Sequence, residues 1–172
     1  MEDGVDFVTE LGRAMTAHRL RRLGEQLLED YSSWLPKAGV TAPPRSLSTI
    51  RLLEEHGPLG VTEIAFRLRL SHPLLVKLID TLEQQGFVAL GTDPTDARRR
   101  PVWLTAPGRR EATQVRRALA AMEAAFSGIS DEVGVDLFDL VSRVENACER
   151  DPLPNRLDRL WTQIASEEMT CD

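Results

Sequence analysis

The chain is poor in cysteine, histidine and lysine: two, three and two in 172 residues. Cys148 and Cys171 cannot build a disulfide framework, and they read as reduced thiols of a cytoplasmic protein. His18, His56 and His72 show no paired spacing, and there is no Cys-x-x-Cys, so no metal centre is expected. No apolar run approaches the ~18–20 residues that span a bilayer. Met1-Glu2-Asp3 opens the chain without an apolar stretch, which predicts no secretory signal. Gly-x-Ser-x-Gly, P-loop and Gly-x-Gly-x-x-Gly patterns are all missing. Glu54-Glu55 point two ways from a helix and are no general acid/base pair. The expectation is a non-enzyme without a cofactor.

What is present is a 42% apolar composition, enough for a packed core. The chain carries 27 acidic and 21 basic groups, net −6. Taken alone, that excess argues against a nucleic-acid partner. Its distribution argues otherwise. Residues 1–40 hold 5 basic and 7 acidic groups, residues 41–117 hold 12 and 8, and residues 118–172 hold 4 and 12. A basic middle lies between acidic ends.

Periodicity predicts mostly helix. Within Asp6–Trp34, Leu20, Leu23, Leu27, Tyr31 and Trp34 form an amphipathic stripe. Ser46 is expected to cap a helix carrying Leu47, Ile50 and Leu53, stopped by Gly57-Pro58. Thr62 is expected to cap a short helix with Ile64, Ala65 and Leu68. Ser71 caps the next, with Pro73 in its first turn and Leu74, Leu75, Leu78, Ile79 and Leu82 inward. Gly86 ends it. Phe87–Leu90 and Val102–Leu104 read as two strands of a hairpin around a polar tip. Thr105 caps a long helix to about Phe126. Ser130-Asp131-Glu132 opens another, with Val133, Leu137, Leu140, Val141 and Val144 inward and Cys148 buried in the same row. A last helix, about Asn155–Ser166, carries Leu157, Leu160, Trp161 and Ile164. Trp34, Trp103 and Trp161 read as core or interface fillers.

Helix, helix, turn, helix and two-stranded hairpin is the layout of a winged helix-turn-helix. Two helices hold a third so that its first turns enter a major groove ~12 Å wide. The hairpin tip, Arg98-Arg99-Arg100, suits phosphates or a narrow minor groove, whose negative potential attracts arginine.

Three segments carry a resemblance to a known family. They are Leu82-Glu83-Gln84-Gln85-Gly86-Phe87-Val88, Asp96-Ala97-Arg98 and Val102-Trp103-Leu104-Thr105-Ala106-Pro107-Gly108. In this order and spacing they resemble the MarR family of bacterial transcription regulators, specifically across about 46–110. The resemblance implies a mainly α winged helix-turn-helix with a two-stranded wing and dimer-forming helices at both chain ends. The corresponding division is 1–40 for an N-terminal dimerisation helix, 41–104 for the DNA-binding lobe and 105–172 for C-terminal dimerisation helices, in one continuous domain.

It also implies roles. Arg98 reaches the minor groove and Asp96 orients it. Thr62 and Ser71 offer hydroxyls and N–H groups to phosphates. His72, Leu75, Val76 and Lys77 lie in the first two turns of the recognition helix, and some of them face base edges or phosphates; Arg99 and Arg100 are read as phosphate contacts from their place at the hairpin tip. A homodimer would read a pseudo-palindrome in double-stranded DNA. A small, often aromatic ligand would regulate it, with Leu23, Trp34, Leu53 and Val115 as candidate contacts. Two departures stand out: Leu90-Gly91 where the family often has arginine, and Leu74-Leu75-Val76 where it often has Thr or Ser. The alternatives are a winged-helix module that binds protein and a chromosome-binding protein of low sequence preference.

Overall fold

The computed structural model describes residues 6–91 and 101–169, with side chains as far as Ala165. Eight α-helices occur among them: α1 Phe7–Glu10, α2 Thr16–Trp34, α3 Leu47–His56, α4 Val61–Leu68, α5 His72–Gln84, α6 Ala106–Val133, α7 Leu137–Arg150 and α8 Leu153–Met169. Three short strands accompany them: β1 Leu59–Gly60, β2 Val88–Leu90 and β3 Pro101–Leu104. The chain divides into two compact units, residues 1–120 and 121–172, with the division inside α6.

In the first unit, apolar residues at helical spacing on α3, α4 and α5 converge. Ile50, Ile64, Leu75, Ile79 and Leu82 are almost wholly buried. Gly57 stops α3 at φ +76, which L side chains rarely adopt, and Pro58 follows it. Arg69 ends α4 in the left-handed region, while Leu70 N–H donates to the Ala65 carbonyl. Strand β3 lies between β1 and β2, antiparallel to both. Leu59 and Leu90 both pair with Val102. Val88, Val102 and Leu104 face the core, as period-two alternation requires.

Several sequence expectations are corrected. The sheet has a third strand, β1, too short to leave a periodic signal. Gly60, not Thr62, is the N-cap of α4, and Thr62 is its second residue. Ser46 stands at the N-cap position of α3 as read, but it also closes a 3-10 turn (Pro44–Ser46), and its hydroxyl donates to Pro43 O at 2.7 Å and not to the first turn of α3. The stripe from Leu20 to Trp34 lies whole on α2, while the stretch before it is divided into α1 and a 3-10 turn (Gly12–Met15). Helix α6 runs through Gly128 and Ser130 to Val133. Gly134 at φ +71 ends it, and the Asp136 carboxylate caps α7 by accepting the Asp139 N–H.

The second unit comprises the end of α6 with α7 and α8. No residue of α7 is buried. Val133, Leu140, Val141 and Val144, expected inward, are exposed, and so is Cys148. The row is apolar, but nothing among the described residues covers it. On α8, Leu157, Leu160, Trp161 and Ile164 are exposed as well. No described helix is long and apolar enough to cross a membrane.

Candidate nucleic-acid interface

Helices α4 and α5 begin alike. The residue before each, Gly60 and Ser71, is extended, and neither first turn has a side-chain cap hydrogen bond. The first N–H groups of a helix lack intrahelical acceptors, and the helix dipole adds partial positive charge there. Thr62, Ser71, His72, Val76 and Lys77 are all exposed around these two termini. Pro73, in the first turn of α5, has a ring that suits φ and no N–H to satisfy.

Leu75 is the exception. It was expected among the DNA-facing residues, yet it is fully buried, on the same side of α5 as Ile79 and Leu82. At 3.6 residues per turn, 75, 79 and 82 form one buried row, while His72, at the helix start, and Val76 and Lys77 are exposed. Leu74 and Val76 are a little over one third exposed.

Beyond α5, the Gly91 N–H donates to the Pro101 carbonyl at 3.1 Å, closing the root of the wing. Asp96, Arg98, Arg99 and Arg100 lie outside the described residues. The root explains one departure from the family pattern. A Cβ on Gly91 would sit 2.6 Å from Cη2 of Trp103, so the indole occupies the space an arginine stem would need.

The C-terminal side of the wing is fastened by Thr105. Its hydroxyl donates to Gly86 O at 2.6 Å and accepts the Gly108 N–H at 3.1 Å, so it caps α6 and ties it to the end of α5. Leu53 and Val115, candidate ligand contacts, are buried and fill the core. Trp34 is half-buried. Leu23 is exposed and lines a groove of about 570 Å³ with Thr16, Arg19, Leu20, Arg22 and Gln26. Arg22 in this groove is bound to Asp6 at 2.6 Å, and that hydrogen bond holds the Asp6 carboxyl below its ordinary range.

Sequence reasoning missed Glu111. It is buried on α6 in the row Gly108, Ala112, Val115 and Ala118. A carboxylate in an otherwise apolar row was the available signal.

Among the described residues, no group of three or more His, Cys, Asp or Glu is placed to hold a metal ion. Residues 43–99 match the sequence model of the MarR family. Over that third of the chain it is similar to MarR-family domains. The HTH-type transcriptional repressor MdtR of Bacillus subtilis (strain 168) is 27% identical over 139 residues, 79% of this chain and 87% of that protein. Solved structures agree in fold. The PcaV transcriptional regulator from Streptomyces coelicolor, in complex with its natural ligand, is 23% identical with a TM-score of 0.62 or more across two crystal structures, 0.66 in the complex. The match to the complex covers 84% of this chain and 98% of that one. The transcriptional repressor CouR, bound to a 23-mer DNA duplex, is 24% identical with a TM-score of 0.61, covering 77% and 92%. These likenesses establish a mainly helical MarR-type winged helix-turn-helix, in which β2 and β3 are the strands of the wing.

Proposed function

We propose that this chain is a DNA-binding transcription regulator of the MarR type and not an enzyme, acting as a homodimer on a pseudo-palindromic operator. The observation that carries the reading is the pair of uncapped helix N-termini, α4 and α5, with Thr62, Ser71, His72 and Lys77 exposed around them. Phosphates satisfy orphan N–H groups at such termini. His72, Val76 and Lys77 are the recognition-helix residues assigned to the major groove. The wing residues Arg98, Arg99 and Arg100 are assigned to the minor groove and flanking phosphates, with Asp96 orienting Arg98.

Residues 41–104 serve as the DNA-binding lobe in this reading. The helices on either side of it, with their exposed Leu20, Leu23, Leu157, Leu160 and Trp161, pair with a second copy. Regulation by a small ligand with an apolar body is assigned to the groove on α2 that Leu23 lines. Such a ligand acts by favouring a dimer geometry in which the two recognition helices no longer match one duplex turn.

A second reading, a winged-helix module that binds protein, is favoured by the exposure of Phe66, Leu74 and Val76. One experiment separates the two. The gene's upstream duplex is titrated at ~50 mM and ~200 mM salt, and affinity is expected to fall steeply between them. Arg98→Ala is expected to lose about 1–3 kcal/mol of DNA affinity. No binding at the lower salt refutes the regulator reading. Equal binding to unrelated duplexes supports a low-specificity chromosome protein.

A further inference from the structure

We infer that Glu111 is a positioning residue for DNA binding: its buried carboxylate clamps Thr41 and Ala42, where the N-terminal helices hand over to the winged helix. The inference rests on the DNA-binding reading above. Glu111 Oε1 accepts the backbone N–H of Thr41 at 2.6 Å and of Ala42 at 2.7 Å. The Thr41 hydroxyl lies 3.3 Å from both carboxylate oxygens. Only 8% of Glu111 is exposed.

The backbone on either side of this pair is tied locally. Gly39 and Val40 N–H donate back to Pro36 and Leu35 carbonyls, and Ser46 N–H donates to Pro43. Pro43 and Pro44 have no N–H to give. The Thr41 and Ala42 amides instead both go to one carboxylate about seventy positions away. Burying a carboxylate is costly unless it is hydrogen-bonded, and charge-assisted bonds from two backbone N–H groups offset that cost. A leucine in the same row would satisfy the core and leave both amides orphaned.

The position of the clamp gives it leverage. Thr41 and Ala42 lead into α3, and Glu111 follows the end of β3 by two turns of α6. One carboxylate therefore holds the lead-in and the exit of the winged helix together. Through Val40 and Leu35, both buried, the same point is joined to the end of α2. Loosening it lets the lobe tilt against the helices that set half-site spacing.

The test separates reach from charge in the full-length chain, using the genomic duplex that the wild type binds. E111Q keeps an acceptor oxygen at full length but no charge, whereas E111D keeps the charge one methylene short. E111L keeps neither. E111Q is expected to bind DNA within about threefold of wild type, with slow amide exchange at 41 and 42. E111D and E111L are expected to exchange those amides and lose DNA affinity by ~10-fold or more, with an unchanged salt slope because phosphate contacts are intact. Binding is compared at a temperature where circular dichroism shows each variant folded. If E111L does not fold, the E111Q and E111D pair decides. Folded E111D binding like wild type, or E111Q as weak as E111D, overturns the inference alone. A wild type that binds no duplex is a different result: it overturns the DNA-binding reading and this inference with it.

Discussion

Gly108 and Gly91 are small because other atoms already occupy the space. A Cβ on Gly108 would run into the backbone carbonyl of Phe87, where α6 passes the start of β2. Gly108→Ala must push the two backbones apart, and it is expected to lower the denaturation midpoint by an amount equivalent to about 1–3 kcal/mol. At Gly91 the obstacle is a side chain, the indole of Trp103. Gly91→Arg alone is therefore expected to destabilise the protein by about 1–3 kcal/mol. Combined with Trp103→Thr, it should recover stability and add a cation beside the wing. A salt titration of DNA binding should then steepen by about one unit of slope. An unchanged slope in a stable double variant would place residue 91 away from the phosphates.

Elements are joined here by single charged side chains as much as by apolar faces. Arg156 donates to the Asp151 and Ala147 carbonyls, both at 2.8 Å, satisfying the end of α7 from within α8. Arg159 adds a bond to the Asp151 carboxylate at 2.6 Å. That hydrogen bond holds the Asp151 carboxyl below its ordinary value of 3.8. A lowered folded-state pKa contributes stability that is complete above the unfolded value and lost as pH falls through the folded one. The difference in Tm between wild type and Asp151→Asn is therefore expected to be constant above about pH 5 and to close below the ordinary carboxylate range. The group is about one-third exposed and solvent screens the pair, so the difference is small, but its sign is fixed. A gap that widens on acidification would contradict the Arg159 assignment.

At the scale of the whole molecule, charge and apolar surface are segregated. Residues 1–120 carry 17 basic and 15 acidic groups, and residues 121–172 carry 4 and 12. The acidic unit also presents Phe138 at 84% and Trp161 at 73% exposure. Aromatic surface of that extent in a helical unit calls for a partner. Sedimentation of the full chain is expected to give a dimer at micromolar concentration. Leu157→Asp with Trp161→Asp is expected to give a monomer whose DNA affinity falls with it. A folded monomer that binds DNA as tightly as wild type would remove the two-fold reading.

The order of helices α3 to α6 and of strands β2 and β3 was legible in the chain. Its signals are local: apolar spacing within one helix, a glycine that must follow it, a threonine that caps the next. Tertiary structure decided what depends on neighbours far along the sequence. Strand β1 exists because β3 offers it a pairing edge. Leu75 is buried because Ile79 and Leu82 share its face, whereas a reading of position along α5 placed it toward DNA. Cys148 and the apolar row before it are exposed because burial needs a second surface, which periodicity does not supply. Glu111 finds its partners only when Thr41 and Ala42 arrive beside it. Residue type and spacing determine which face of an element is apolar; packing alone determines what that face meets.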